Sequence, residues 1–167
     1  LKKKFINVAY LSDYQREEIL QNFRKKKINK SNIICYSNKS NDFVKKISNY
    51  TNYKMIELKN LNSAKIINIF QKTKIYLDFG YHPGKDRMPR EAVLFNNCIL
   101  TNKRGSAGNK YDIPIKKQYK FEERKYNLKK IKNIIDKIFN DYEKEFKNFL
   151  KYKNLILEEK KKFNRDI

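Results

Sequence analysis

Residues 74–107 read KIYLDFGYHPGKDRMPREAVLFNNCILTNKRGSA, and this stretch decides the fold. It parses as strand, polar loop, helix, strand and second polar loop. The run 75–79 is short, apolar, rich in β-branched and aromatic side chains, and stopped by Gly80, the pattern of a strand buried on both faces. Pro89 suits the first turn of a helix, where a missing N–H costs nothing. Ala92, Val93, Leu94 and Phe95 give that helix a core face, Asn96 and Asn97 close it, and Cys98 begins the next buried strand. Such alternation is half of a parallel α/β layer. Between strand and helix, residues 82–91 gather Lys85, Arg87 and Arg90 around Gly84 at a helix N-terminus, an arrangement suited to an anion.

Upstream, NIICYS at 32–37 is a second buried strand, ending in the polar Tyr36, Ser37, Asn38 and Lys39 and followed by a helix over 42–50. Residues 53–58 form another strand, and Asn62 or Ser63 caps a helix whose Ile66, Ile67, Ile69 and Phe70 share one face. Downstream, 119–121 is a weaker fifth strand. Strands at 33–36, 55–58, 75–79, 98–101 and 119–121 alternate with helices, which predicts a Rossmann-like α/β fold. Its parallel sheet of five strands has the order 2-1-3-4-5 and helices on both faces. The order reverses between the first and third strands, so 36–39 and 78–87 should meet in one crevice.

The ends of the chain read less like this domain. Residues 5–11 are strand-like, and a helix follows from Ser12 or Asp13 to Phe23 with a basic end at 24–27. After Asn127, Leu128, Ile131, Ile135, Ile138, Tyr142, Phe146 and Phe149 recur at steps of three and four, predicting one long basic amphipathic C-terminal helix over 127–167. Its lysine face is either a solvated outer surface or a face that lies on a membrane.

Forty Lys plus Arg against eighteen Asp plus Glu leave +22, an excess that favours anionic partners: nucleotides, nucleic acid or an acidic membrane. Lys, Asn and Ile are abundant together, so part of that charge is compositional. The aromatics fall mostly at core spacing and no RNA- or DNA-binding motif is present, which argues against nucleic acid. Cys35 and Cys98 are isolated within apolar runs and read as free buried thiols, suited to a reducing cytoplasm. No apolar run approaches the ~20 residues of a transmembrane helix, and nothing in the pattern asks for a metal or other cofactor.

The succession YSNKS, IYLDFG, HPGKDRMPREA, KRGSA, DIPI and YKF resembles the C-terminal half of a bacterial GT-B type glycosyltransferase family found in surface-polysaccharide gene clusters. The likeness spans about residues 10–121, with HPGKDRMPREA its most specific block. The family's usual YNPKKG is replaced here by residues 36–41, Tyr-Ser-Asn-Lys-Ser-Asn. In such enzymes two Rossmann-like domains face each other. The C-terminal one holds the nucleotide-sugar donor, and the other brings a glycan or lipid-linked acceptor and, in inverting members, usually the base. The resemblance implies that residues 1–31 are the end of a missing N-terminal domain and its crossing, that 32–126 form the donor domain, and that the chain alone is incomplete. It also implies a cytoplasmic protein, at the inner face of the membrane if the basic helix lies there.

Sugar transfer expels a nucleoside diphosphate, so a catalyst without metal stabilises the developing charge with cations and N–H dipoles. Lys85, Arg87, Arg90 and the Gly84 amide are of that kind, although a solvated basic loop has the same composition. Arg104 and Ser106, after the fourth strand, lie on the same edge, where a small-residue loop lets backbone N–H groups approach a phosphate. Tyr36, Asn38 and Lys39 complete the donor set. His82 is either a catalytic-site hydrogen-bonding partner of the donor or a turn histidine before Pro83. Glu91 is either an acid near the third helical position, favoured there by the dipole, or, as the resemblance implies, the carboxylate that accepts the ribose hydroxyls. Outside the enzyme reading stand a nucleic-acid-binding module and a non-catalytic scaffold domain.

Overall fold

The computed structural model describes residues 13–23 and 29–167. Five parallel strands, β1 (Ser31–Ser37), β2 (Met55–Leu58), β3 (Thr73–Asp78), β4 (Cys98–Asn102) and β5 (Lys120–Phe121), form one sheet in the order β2-β1-β3-β4-β5. The central strand sets the register: Ile75 lies opposite Ile34 on one side and Cys98 on the other. Ile75, Tyr76 and Leu77 are fully buried, as a strand covered on both faces requires.

Helices α2 (Asn41–Thr51), α3 (Ser63–Lys72) and α4 (Arg87–Leu94) make the crossovers. Asn62 caps α3 by accepting the Lys65 N–H at 3.0 Å. The cap of α4 is Asp86, whose carboxylate accepts the Met88 N–H at 3.1 Å. Pro89 is therefore the third helical residue, within the first turn. It is tolerated because the first four helical N–H groups lack intrahelical partners anyway. At the other end Asn96 takes a left-handed φ of 63°, and the Asn97 N–H returns to the Ala92 carbonyl at 2.8 Å. Asn97 is fully buried yet satisfied: its Oδ1 accepts from the Thr73 hydroxyl and its Nδ2 donates to the Phe70 and Ala92 carbonyls.

The predicted single helix beyond Asn127 is divided. Helix α5 (Leu128–Asn140) packs on α2 and β3 through Leu128, Ile131, Ile135 and Ile138, α6 (Tyr142–Phe146) follows, and α7 (Leu150–Asp166) is the long C-terminal helix, lying along α4. The break falls at Asp141, with φ −137° and ψ 56°. Glu145 fixes the turn, accepting from the buried Tyr119 hydroxyl at 2.7 Å and pairing with Lys137 at 2.8 Å. Residues 13–23, with α1 (Glu17–Asn22), belong to this same body: Ile19 is in the core and Tyr14 packs on Phe163. The expected strand over 5–11 and the basic helix end at 24–27 lie outside the described residues. Both cysteines are buried and free. Among the described residues no helix is long and apolar enough to cross a membrane.

Candidate functional site

The crevice falls where the strand order reverses. A cavity of about 480 Å³ separates Ser37, Asn38 and Lys39, after β1, from Asp78, Asp86 and Arg87, after β3, with Leu58, Ile66 and Met88 as apolar walls. Two contacts bind its rims together. The Ser40 hydroxyl accepts the Phe79 N–H at 2.8 Å, and a Cβ on Gly80 would stand only 2.8 Å from Lys39 Cβ. Residue 80 must be glycine for the loops to close this tightly. Tyr36 sits on β1 opposite Leu77, half-buried against the core, and is not among the side chains lining the cavity.

Beneath the loop is a buried row of charge. His82 is fully buried, with Nε2 donating to Asp78 Oδ1 at 3.0 Å and Nδ1 3.1 Å from Asp86 Oδ2, the second contact an ion pair without hydrogen-bond alignment. Burial pulls the imidazole pKa down, but the two carboxylates outweigh it and hold the ring protonated, with a pKa raised to about 9. Asp86 is held well below the usual carboxylate range: burial works upward, and His82, the Met88 N–H and Lys39 overcome it. Tyr76 donates to the other oxygen of Asp78 at 2.8 Å. With a carboxylate facing each ring nitrogen, His82 offers none to a ligand. Its place is that of a turn-holding histidine rather than of a group that touches a reacting atom. Ser106 reinforces the turn, its N–H donating to the His82 carbonyl and its hydroxyl to the Gly84 carbonyl. Gly105 makes this possible at φ 56°, where a Cβ would lie 2.0 Å from the His82 carbonyl oxygen.

The basic residues expected to ring an anion are largely matched within the protein. Arg90 is buried and points away from the crevice mouth, bound to Asp13 at 2.7 Å and Glu159 at 3.0 Å. Lys85 joins the same pair of acids at 3.2 and 2.6 Å. Arg104 donates to Glu123 and to the Phe79 carbonyl. Only Lys39 and Arg87 both line the crevice and remain about half exposed or more, Lys39 loosely paired with Asp86 at 3.6 Å and Arg87 with Glu91 at 3.0 Å.

Glu91 is the fifth residue of α4, so the first-turn position assigned to it does not hold, and Asp86 does the capping. Its carboxylate is 1 % exposed, behind Arg87 as seen from the crevice, with Arg16 3.6 Å away. Burial raises its pKa above the ordinary value, against the pull of Arg87 and Arg16. Among the described residues nothing donates an aligned hydrogen bond to Oε1. Charge holds that oxygen instead, with Arg87 Nε 3.0 Å and Arg16 Nη2 3.6 Å away.

Asp13, Arg16 and Glu159 were not singled out from the sequence, since they meet the loop only in three dimensions. Asp86 was not singled out either, although Asp is an N-cap residue type and that signal could have found it. The fold defines a doubly wound α/β domain with a crevice at its topological switch point. No family model, curated protein or solved structure matches the chain.

Proposed function

We propose that the chain is the nucleotide-sugar-binding half of a GT-B type glycosyltransferase, acting with a second domain that brings a glycan or lipid-linked acceptor. The observation that carries this reading is Glu91: a buried carboxylate one side chain back from the switch-point crevice, whose Oε1 is held by ion pairs with Arg87 and Arg16 and by no aligned hydrogen bond. Two adjacent ribose hydroxyls are donors of the right kind for it, and they reach it when Arg87 swings from Glu91 towards the diphosphate. Arg87 and Lys39 then exchange their carboxylate partners for phosphate oxygens, while the Gly84 stretch, with open space where a side chain would be, lets the backbone come close. His82 holds the loop, pinned between Asp78 and Asp86.

The test is a double cycle by calorimetry, Glu91 and Glu91→Gln against ribo- and 2′-deoxyribonucleoside diphosphates of each base. The reading expects the substitution and the missing hydroxyl each to weaken binding by about 1.5–3 kcal/mol, and their combination by much less than the sum. Strict additivity would place the ribose elsewhere. The internal matching of Lys85, Arg90 and Arg104 favours one second reading, a scaffold domain that keeps the fold without the ligand. Absence of binding by every nucleoside diphosphate would decide for it.

A further inference from the structure

On the flank of the sheet beyond β5 lies a second cleft, about 580 Å³ in volume, between the edge strand and α5. That is the size a small organic ligand fills. Its floor is apolar, made by Phe121 and Ile134, and its rim is lysine. Two of the lysines already have partners: Lys120 donates to the Asn109 carbonyl at 2.6 Å and Lys137 pairs with Glu145. Three remain. Lys117 and Lys130 have no partner among the described residues, and Lys103 has only a loose 3.9 Å contact with Glu122, the one acid on the lining. These three ammonium groups come from three separate parts of the chain, the loop after β4, the turn before β5 and α5. An anion bound among them would face three cations and one acid.

We propose that this cleft binds a phosphate ester with an apolar body, the phosphate among Lys103, Lys117 and Lys130 and the apolar part on Phe121 and Ile134. A bare ion would leave the floor against water. A nucleic-acid strand needs a series of rings on which successive bases stack, and the lining offers one aromatic, Phe121. A soluble ester and a lipid phosphate present the same chemistry. The inference stands apart from the nucleotide-sugar reading and uses none of its residues.

The experiment titrates hexyl phosphate, inorganic phosphate and hexanol into the whole chain at fixed ionic strength, following backbone amides by NMR. Hexyl phosphate should bind at least about tenfold more tightly than either fragment and move the Phe121 and Ile134 amides, because charge and floor act together. Replacing both Lys117 and Lys130 by Gln should weaken it about tenfold. A second double variant, Lys125→Gln with Lys129→Gln, removes the same charge from exposed positions off the lining and should bind like the parent. Co-sedimentation with phosphatidylcholine vesicles, with and without phosphatidic acid, separates the sources: capture dependent on Lys117 and Lys130 assigns the lipid, and no capture assigns the soluble ester. Equal losses in the two double variants, equal affinity for phosphate and hexyl phosphate, or displacement of hexyl phosphate by a single-stranded oligonucleotide at lower concentration would overturn the proposal.

Discussion

Arg90 Nη1 lies 3.0 Å from Glu159 Oε2, a buried contact across 69 residues of chain that clamps α4 to the last helix. Asp13, 77 residues away on the other side, completes it. A guanidinium so placed is a structural cation. Removing one member of a buried pair costs about 3–5 kcal/mol, because the partner charge is left uncompensated.

Arg90→Ala should therefore lower stability to chemical denaturant by about that amount. In whatever fraction remains folded, affinity for nucleoside diphosphates should be unchanged. Loss of affinity at full stability would return Arg90 to the ligand site.

Arg87 should behave differently. Arg87→Ala removes a half-exposed cation that lines the crevice, and Arg16, 3.6 Å away, stays to face the buried Glu91, so the loss of stability should be smaller than for Arg90→Ala. Binding of a nucleoside diphosphate should weaken by about 1.5–3 kcal/mol, as for a hydrogen bond to a charged group. The free nucleoside should scarcely notice, and equal losses for both ligands, measured by calorimetry, would count against a diphosphate at this position.

The His82 clamp makes stability depend on pH. The folded-state pKa, about 9, lies above the ordinary 6.5, so the folded protein holds the proton more tightly than the unfolded chain. The contribution is fully present below about pH 6.5 and is lost as pH rises through about 9. It amounts to something on the order of 3 kcal/mol at about 1.4 kcal/mol per pKa unit. Urea unfolding at pH 6 and pH 9.5 should show a larger drop for the parent than for His82→Gln, which has no proton to lose. Identical drops would mean that the ring is not charged in the fold.

Two glycines of the loops separate fold from ligand. Gly105→Ala forces a side chain into a left-handed residue and against the His82 carbonyl, and should cost clearly more than the ~1–2 kcal/mol of the backbone conformation alone. Gly84→Ala meets nothing within 4 Å. It should keep the melting temperature, yet weaken diphosphate binding if the backbone there approaches a phosphate.

The strand order and the place of the crevice were legible because both follow from local signals: apolar runs of strand length, glycine and asparagine stops, and helical spacing between them. Charge pairing was not legible. Lys85, Arg87 and Arg90 look alike within HPGKDRMPRE, and what divides them is the helix face each occupies and which distant acid stands opposite. Arg90 falls on the side of α4 that Asp13 and Glu159 cover, and Glu91 lies one turn after Arg87, which puts it behind that cation. The break at Asp141 escaped notice for a related reason. Apolar positions keep their three-and-four spacing through a turn when the next helix packs against the same core.

The Arg90 contact also bears on how the chain is made. A ribosome delivers residues 31–121, enough for the whole sheet, well before residue 159 emerges. During that interval Arg90 has Asp13 as its one acidic partner, half of its final pair of carboxylates. Until then Arg90 lacks its buried carboxylate partner, so the final seating of α4 waits on the last helix.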